Sequence, residues 1–124
     1  MPDQLPRELT DLLQARDGPA RDVAWEHFVA VHTRLLLYVA RSIVHDHDAT
    51  MDAYAVLLER LREDDARRLR GFAAEGRGKF TTWLVVVARR ICVDWLRHRG
   101  GRPRPGPSDG AGRDGGQVLR RRLL

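Results

Sequence analysis

One cysteine in 124 residues excludes an internal disulfide, and Cys92 therefore fits a reducing compartment. It lies within a helical apolar pattern, where packing as a small apolar side chain is the expected role; only neighbouring arginines would favour a reactive thiolate. No apolar run approaches the ~20 residues needed to span a membrane. The opening MPDQLPREL also lacks the apolar centre of a signal peptide, so the chain is expected to be cytoplasmic, without membrane contact. There is no GxxxxGK[ST] phosphate loop and no nucleophile–base constellation, so no enzyme and no cofactor are expected. The run His45-Asp46-His47-Asp48 holds metal-ligand side chains, but consecutive residues rarely point at one ion and no second cluster supplies further ligands. A polar turn with Asp48 as helix N-cap is the expected reading, with no metal.

What the chain has in quantity is charge, unevenly placed. Its length fits one domain, and 43% hydrophobic with 31% charged residues is ordinary for a globular protein with a modest core. Residues 1–66 hold 7 Lys+Arg against 13 Asp+Glu, a net −6, whereas residues 67–124 hold 15 against 4, a net +11. The basic half points to nucleic acid or another polyanion, and the acidic half to a basic protein partner or to solvated surface.

The stretch KFTTWLVVVARRICVDWLRHR, from Lys79 to Arg99, reads as one long helix. Val85-Val86-Val87 alone would suit a buried strand, but Leu84, Val87, Ala88, Ile91 and Trp95 continue at spacings of three and four without a turn residue. Thr81 or Thr82 is the expected N-cap, and Gly100-Gly101 before Pro103 the expected stop. The opposite face carries Arg89, Arg90, Arg97 and Arg99, guanidinium groups suited to phosphate.

Upstream, residues 6–14 predict a short helix with Leu9, Leu12 and Leu13 on one side, broken by Asp17-Gly18-Pro19. Asp22 is the expected cap of a helix reaching about Val44, its apolar stripe being Trp25, Phe28, Val29, Leu35, Leu36, Val39 and Ile43. A third helix over 49–63 places Tyr54, Leu57, Leu58 and Leu61 in the core. A second stripe, Asp52, Ala55, Val56, Glu59 and Glu63, is left outside and suits docking of a partner helix or simple solvation. Asp64-Asp65 is expected to cap a short basic helix with Leu69 and Phe72 inward and Arg67, Arg68 and Arg70 outward. The loop Ala73–Lys79 then adds Arg77 and Lys79, with Gly76 and Gly78 loosening the backbone around an extended strand. Residues 100–116 are nearly all Gly, Pro, Arg, Asp and Ser and read as a disordered linker, followed by the short basic QVLRRRLL. The expected architecture is all-α: a compact bundle of three main helices plus short ones. A short helix and turn occupy 1–20, the helical domain 21–99, and the linker and basic tail 100–124.

From about Trp25 to Arg99 the chain resembles region 2 of the sigma-70 family, in the form found in bacterial extracytoplasmic-function sigma factors. The residues carrying the resemblance are Phe80-Thr81-Thr82-Trp83-Leu84, then Val87-Ala88-Arg89-Arg90, then Val93-Asp94-Trp95-Leu96-Arg97. These follow the family's F-x-T-W-L, I/V-A-R-N and D-x-x-R series in order and spacing. A second block, Asp52 to Asp65, is similar to the family's acidic D-L-x-Q-E-x-F-L helix ahead of a basic connector.

The resemblance implies a promoter-recognition subunit. Asp52, Ala55, Val56 and Glu59 would meet the clamp helices of the RNA polymerase largest subunit, and Arg67, Arg68, Arg70, Arg77 and Lys79 would surround a nontemplate-strand base extruded from the minus-ten element. Arg89, Arg90, Arg97 and Arg99 would contact the DNA backbone and the upstream duplex, with Trp83 in the core rather than acting as a melting wedge. An anti-sigma factor is a further partner that the family admits. The chain departs from the pattern where Ala55 and Val56 replace the family's Gln-Glu pair and where Arg90 replaces its Asn. The second helical domain that usually reads the minus-thirty-five element is not expected within these 124 residues. The alternative reading is a sigma-like or general nucleic-acid-binding helical protein that does not open promoters.

Overall fold

A computed structural model of the chain describes residues 4–101, which form four helices. These are α1 (Arg7–Gln14), α2 (Gly18–Ile43), α3 (His47–Glu75) and α4 (Phe80–Gly101), so the described fold is all-α. The rest of the expected linker and the basic tail, 102–124, lies outside the described residues. No described helix is long and apolar enough to cross a membrane. The chain divides into a unit of residues 1–92 and a second of residues 93–124, the division falling inside α4.

The helix starts show how the backbone chooses among several acidic candidates. α2 begins a turn earlier than expected: Asp17, not Asp22, is the cap and accepts the Ala20 N–H at 2.7 Å. Pro19 does not break the helix because in a first turn its missing N–H would have had no partner anyway. Likewise Asp46, not Asp48, caps α3, accepting from Ala49 N–H at 2.9 Å. At α4 neither Thr81 nor Thr82 is the cap. Both lie inside the helix, whose first backbone bond runs from Trp83 N–H to the Lys79 carbonyl at 3.2 Å. At its other end α4 includes both glycines, two residues past Arg99, the expected last helical residue.

Within unit 1–92 the core follows the expected stripes in part, with Leu13, Val29, Leu35, Ile43 and Val87 only half-buried. Leu9 and Leu12 of α1 are buried, and α1 packs against both α2 and α3. α2 contributes Trp25, Phe28, Leu36 and Val39, α3 contributes Leu57, Leu61, Leu69 and Phe72, and α4 contributes Phe80, Leu84, Ala88 and Cys92. Tyr54 and Leu58 are half-buried, and the Tyr54 hydroxyl is hydrogen-bonded to Thr33 of α2. At the centre, the Phe80 ring lies 6.1 Å from Phe28, 5.5 Å from His32, 5.5 Å from Phe72 and 5.7 Å from Trp83. These separations are in the range where aromatic pairs attract beyond simple burial.

α3 is not one straight rod. Glu63 is extended (φ −61°, ψ 152°), and Asp64, Asp65 and Ala66 continue in the left-handed region at φ 54°, 57° and 57°. The chain then resumes right-handed helix, so Asp64-Asp65 form the turn instead of capping the basic segment from Arg67 onward. Left-handed conformation costs about 1–2 kcal/mol per L-residue, less for Asp, whose short side chain bonds locally. The turn is held by Arg68, which donates to Glu63 at 2.9 Å and to the Arg60 carbonyl at 3.0 Å. Arg70 adds a bond to the Asp65 carbonyl at 2.8 Å, while Ala66 is buried.

Phe80→Ala is expected to destabilise the protein by about 3–5 kcal/mol, the range for deleting a buried aromatic ring. Urea unfolding monitored by helical circular dichroism would read it, and a loss below about 1 kcal/mol would remove Phe80 from the centre of the fold.

Candidate functional site

The first segment of α3, residues 47–62, presents an acidic face. Asp52, Ala55 and Glu59 are exposed and Val56 is half-buried, and steps of three and four bring these four positions onto one side of the helix. Neither Asp52 nor Glu59 has an ion-pair partner among the described residues. Glu63, read from sequence as the end of this stripe, is instead drawn into the turn. The hydrogen bond from Arg68 holds its carboxyl below the usual carboxylate range, assisted by Arg60 at 3.6 Å.

The expected basic residues fall into two groups. Arg67, Arg77, Lys79, Arg89, Arg90, Arg97 and Arg99 are exposed; of these Arg67 lies 3.9 Å from Asp64, a weak surface pair. Within residues 93–101, Arg99 lies over the Trp95 ring at 5.0 Å, and His98 Nδ1 bonds the Asp94 carbonyl at 2.8 Å. Arg68 and Arg70 differ, for both are half-buried and committed to internal partners. Arg68 holds Glu63, and Arg70 holds Asp65 at 3.3 Å and donates to the Leu13 carbonyl of α1 at 3.2 Å. Their guanidinium groups stabilise the turn first and are less available to phosphate than the sequence pattern implies.

The connector is shorter than expected. Ala73–Glu75 belong to α3, leaving Gly76–Lys79 as the non-helical link to α4. Its two glycines serve different ends. A Cβ on Gly76 would lie 2.3 Å from Phe72 Cδ1 and 2.7 Å from the Phe72 carbonyl, so this position is closed to any side chain. Gly78 faces open space but adopts φ +78°, which L-residues avoid. The link is fitted against Phe72 and carries Arg77 and Lys79 outward. Trp83 is half-buried, its ring 5.0 Å from Phe72.

Several polar contacts fall outside what is expected from the sequence. His32, almost fully buried, meets Glu8 of α1 at 2.8 Å and lies 4.7 Å from the Phe28 ring. It sits four residues after Phe28 and four before Leu36, so the helical stripe itself marked it as a core position. Arg62 pairs with Asp22 and lies over the Trp25 ring at 5.5 Å. His45, Asp46, His47 and Asp48 are exposed, and no group of three or more metal-ligand side chains occurs among the described residues. Cys92 is fully buried, and burial pushes its thiol up to about 11.

No family model, curated protein or solved structure matches the chain.

This geometry sets two expected outcomes. Gly76→Ala is expected to destabilise by about 1–3 kcal/mol through overpacking, and Gly78→Ala by about 1 kcal/mol through backbone strain; chemical denaturation would rank them, and the reverse order would contradict the fit of Gly76 to Phe72. Cys92 should react with a thiol-specific disulfide reagent at pH 8 only as fast as the protein opens, and full modification within seconds without denaturant would contradict its burial. Because the raised thiol pKa makes the folded state hold its proton more tightly, stability should fall as pH rises above about 9. Cys92→Ala should reduce that alkaline loss.

Proposed function

We propose that this chain is a promoter-recognition subunit of bacterial RNA polymerase, acting as the region 2 domain of an extracytoplasmic-function sigma factor in the cytoplasm. The observation that carries the reading is the division of α3 by its left-handed turn. Ahead of the turn stand two unpaired exposed carboxylates, Asp52 and Glu59, on a face with Ala55 and Val56; after it come Arg67, Arg77 and Lys79, all exposed. An acidic surface and a basic one thus occupy consecutive stretches of chain, which supports the reading of a factor joining polymerase to DNA. The order Phe80-Thr81-Thr82-Trp83-Leu84 through Arg97 supports the same reading from sequence.

In this reading the work is capture, not covalent chemistry. Extruding a base costs a few kcal/mol, offset by a pocket and by phosphate contacts. Each phosphate neutralised on a single strand contributes about 0.7 to the log–log salt slope, so four engaged arginines give a slope near ~3. That is weak binding, and polymerase supplies the remaining surface through the acidic face of α3. Arg89 and Arg90, exposed on α4, and Arg97 and Arg99 beyond them serve the DNA backbone.

The test is a pull-down of the full chain with core RNA polymerase, with and without a duplex opened over a minus-ten-like bubble. Binding strengthened by the bubble is expected. Nucleic-acid binding with no polymerase binding would replace this reading with that of a general nucleic-acid-binding helical protein. Asp52→Arg should weaken polymerase binding at least about fivefold, as expected for reversing an interfacial charge, while leaving affinity for bare DNA unchanged. Arg90→Ala and Arg97→Ala should weaken DNA binding and lower the salt slope by about 0.7 each. Equal losses in both assays for either variant would defeat the division of labour.

A further inference from the structure

A second basic site lies away from the exposed arginines of α4 and its connector, where the end of α1, the start of α2 and the turn of α3 meet. An open cavity of about 880 Å³ is lined by Leu13, Gln14, Ala15, Arg16, Arg21, Asp65 and Arg70. Three guanidinium groups and one carboxylate line the wall. Asp65 meets Arg21 at 3.1 Å and Arg70 at 3.3 Å, while Arg16 has no ion-pair partner among the described residues. The cavity wall therefore carries two positive charges in excess.

Three further observations separate this site from ordinary solvated surface. Arg21 Nε is buried and has no hydrogen-bond partner, so the base of this guanidinium is desolvated without compensation, a cost that an anion at its more exposed end would offset. The left-handed residue Asp65 forms part of the wall, and backbone strain of this kind concentrates where a ligand is gripped or a switch is set. Arg70 is already engaged by the Asp65 and Leu13 carbonyls, which fixes its guanidinium in place and leaves Arg16 and Arg21 with unused donors. Arg62 and Asp22, on the adjoining cavity of about 370 Å³, neutralise each other and leave this excess intact.

We infer that this cavity binds the phosphoryl group of a small phosphorylated molecule, with Arg16 and Arg21 as the principal donors and Arg70 as a fixed charge behind them. Guanidinium forks match phosphoryl oxygens bidentately, which a single carboxylate leaves unsatisfied here. An occupant would also tie the end of α1 to the turn of α3 and thereby favour the strained turn, so binding would set the relation between the two segments of α3. The site does not depend on the polymerase reading and can be tested without it.

The experiment is isothermal titration of the full chain with inorganic pyrophosphate at low ionic strength. The expected result is one saturable site, weakened at least about tenfold in Arg16→Gln, the loss of one charge-assisted bond, and changed less than twofold in Arg41→Gln, which removes the same charge from an exposed position elsewhere on α2. Arg16 is exposed and unpaired, so its variant should melt like the parent; Arg21→Gln provides a second loss of binding, read only if its melt shows a folded protein. No saturable binding, or equal effects of Arg16→Gln and Arg41→Gln, would overturn the inference. A single-stranded oligonucleotide is the third arm. If it displaces pyrophosphate and its own affinity falls in Arg16→Gln, the cavity serves a nucleic-acid backbone and the small-molecule inference is overturned; independent binding of the two supports it.

Discussion

The packing of the Phe80 ring is the contact on which unit 1–92 depends. It stands at the first turn of α4 and touches Phe28 and His32 of α2 and Phe72 of α3. One side chain thus seats the start of α4 on two other helices at once. Burying a side chain of this size stabilises by roughly 1.5–3 kcal/mol through the hydrophobic effect, before the aromatic geometry adds its share. The same packing dictates the connector: with Phe72 held against Phe80 and Trp83, the chain leaving α3 must pass the Phe72 ring within a distance only Gly76 permits. The basic side chains on this link are positioned by a core contact, not by the link itself.

The second constraint is the left-handed turn at 64–66. An uninterrupted helix through this region would continue the acidic face of α3 straight into Arg67 and Arg68, where like and unlike charges at spacings of three and four would neutralise each other. The turn interrupts that register. It directs Asp64 and Asp65 to Arg67, Arg70 and Arg21, and Glu63 to Arg68, so the carboxylates nearest the basic segment are consumed locally. Asp52 and Glu59, farther up the helix, are left unpaired. A strained segment of three residues thereby separates two surfaces that the composition alone showed only as two differently charged halves.

The parts of this fold legible in the sequence are those with a local period. The stripe Trp25, Phe28, Leu36 and Val39 was readable, as was the helix from 80 onward, because burial repeats every three or four residues. Caps are not legible in the pattern because several acidic residues stand near each helix start and only the backbone path decides among them; Asp22, past the true cap Asp17, is taken by Arg62, 40 residues away. Pairs at such separations leave no mark in a local pattern. The Arg21–Asp65–Arg70 cluster was illegible for the same reason, and with it the cavity. The charged stripe on α3 was legible down to Glu59 and failed at Glu63, where the left-handed turn, invisible to helical periodicity, begins.

The apolar residues Ala55 and Val56 bear on what the acidic face would do under the proposed function. An interface works best with an apolar centre and a polar rim. Here an exposed small residue and a half-buried branched one lie between Asp52 and Glu59, which gives that arrangement on a single helix. Apolar side chains at these positions contribute affinity through burial, which salt screens little. Under the proposed function the exposed arginines would act through phosphate contacts, which salt weakens steeply. The two surfaces should therefore differ in sensitivity to ionic strength: polymerase engagement, part burial and part charge through Asp52 and Glu59, weakens less steeply as salt rises than the hold on a single strand. Such a chain would stay attached to polymerase between encounters with DNA, and release of the promoter would not require release of the polymerase.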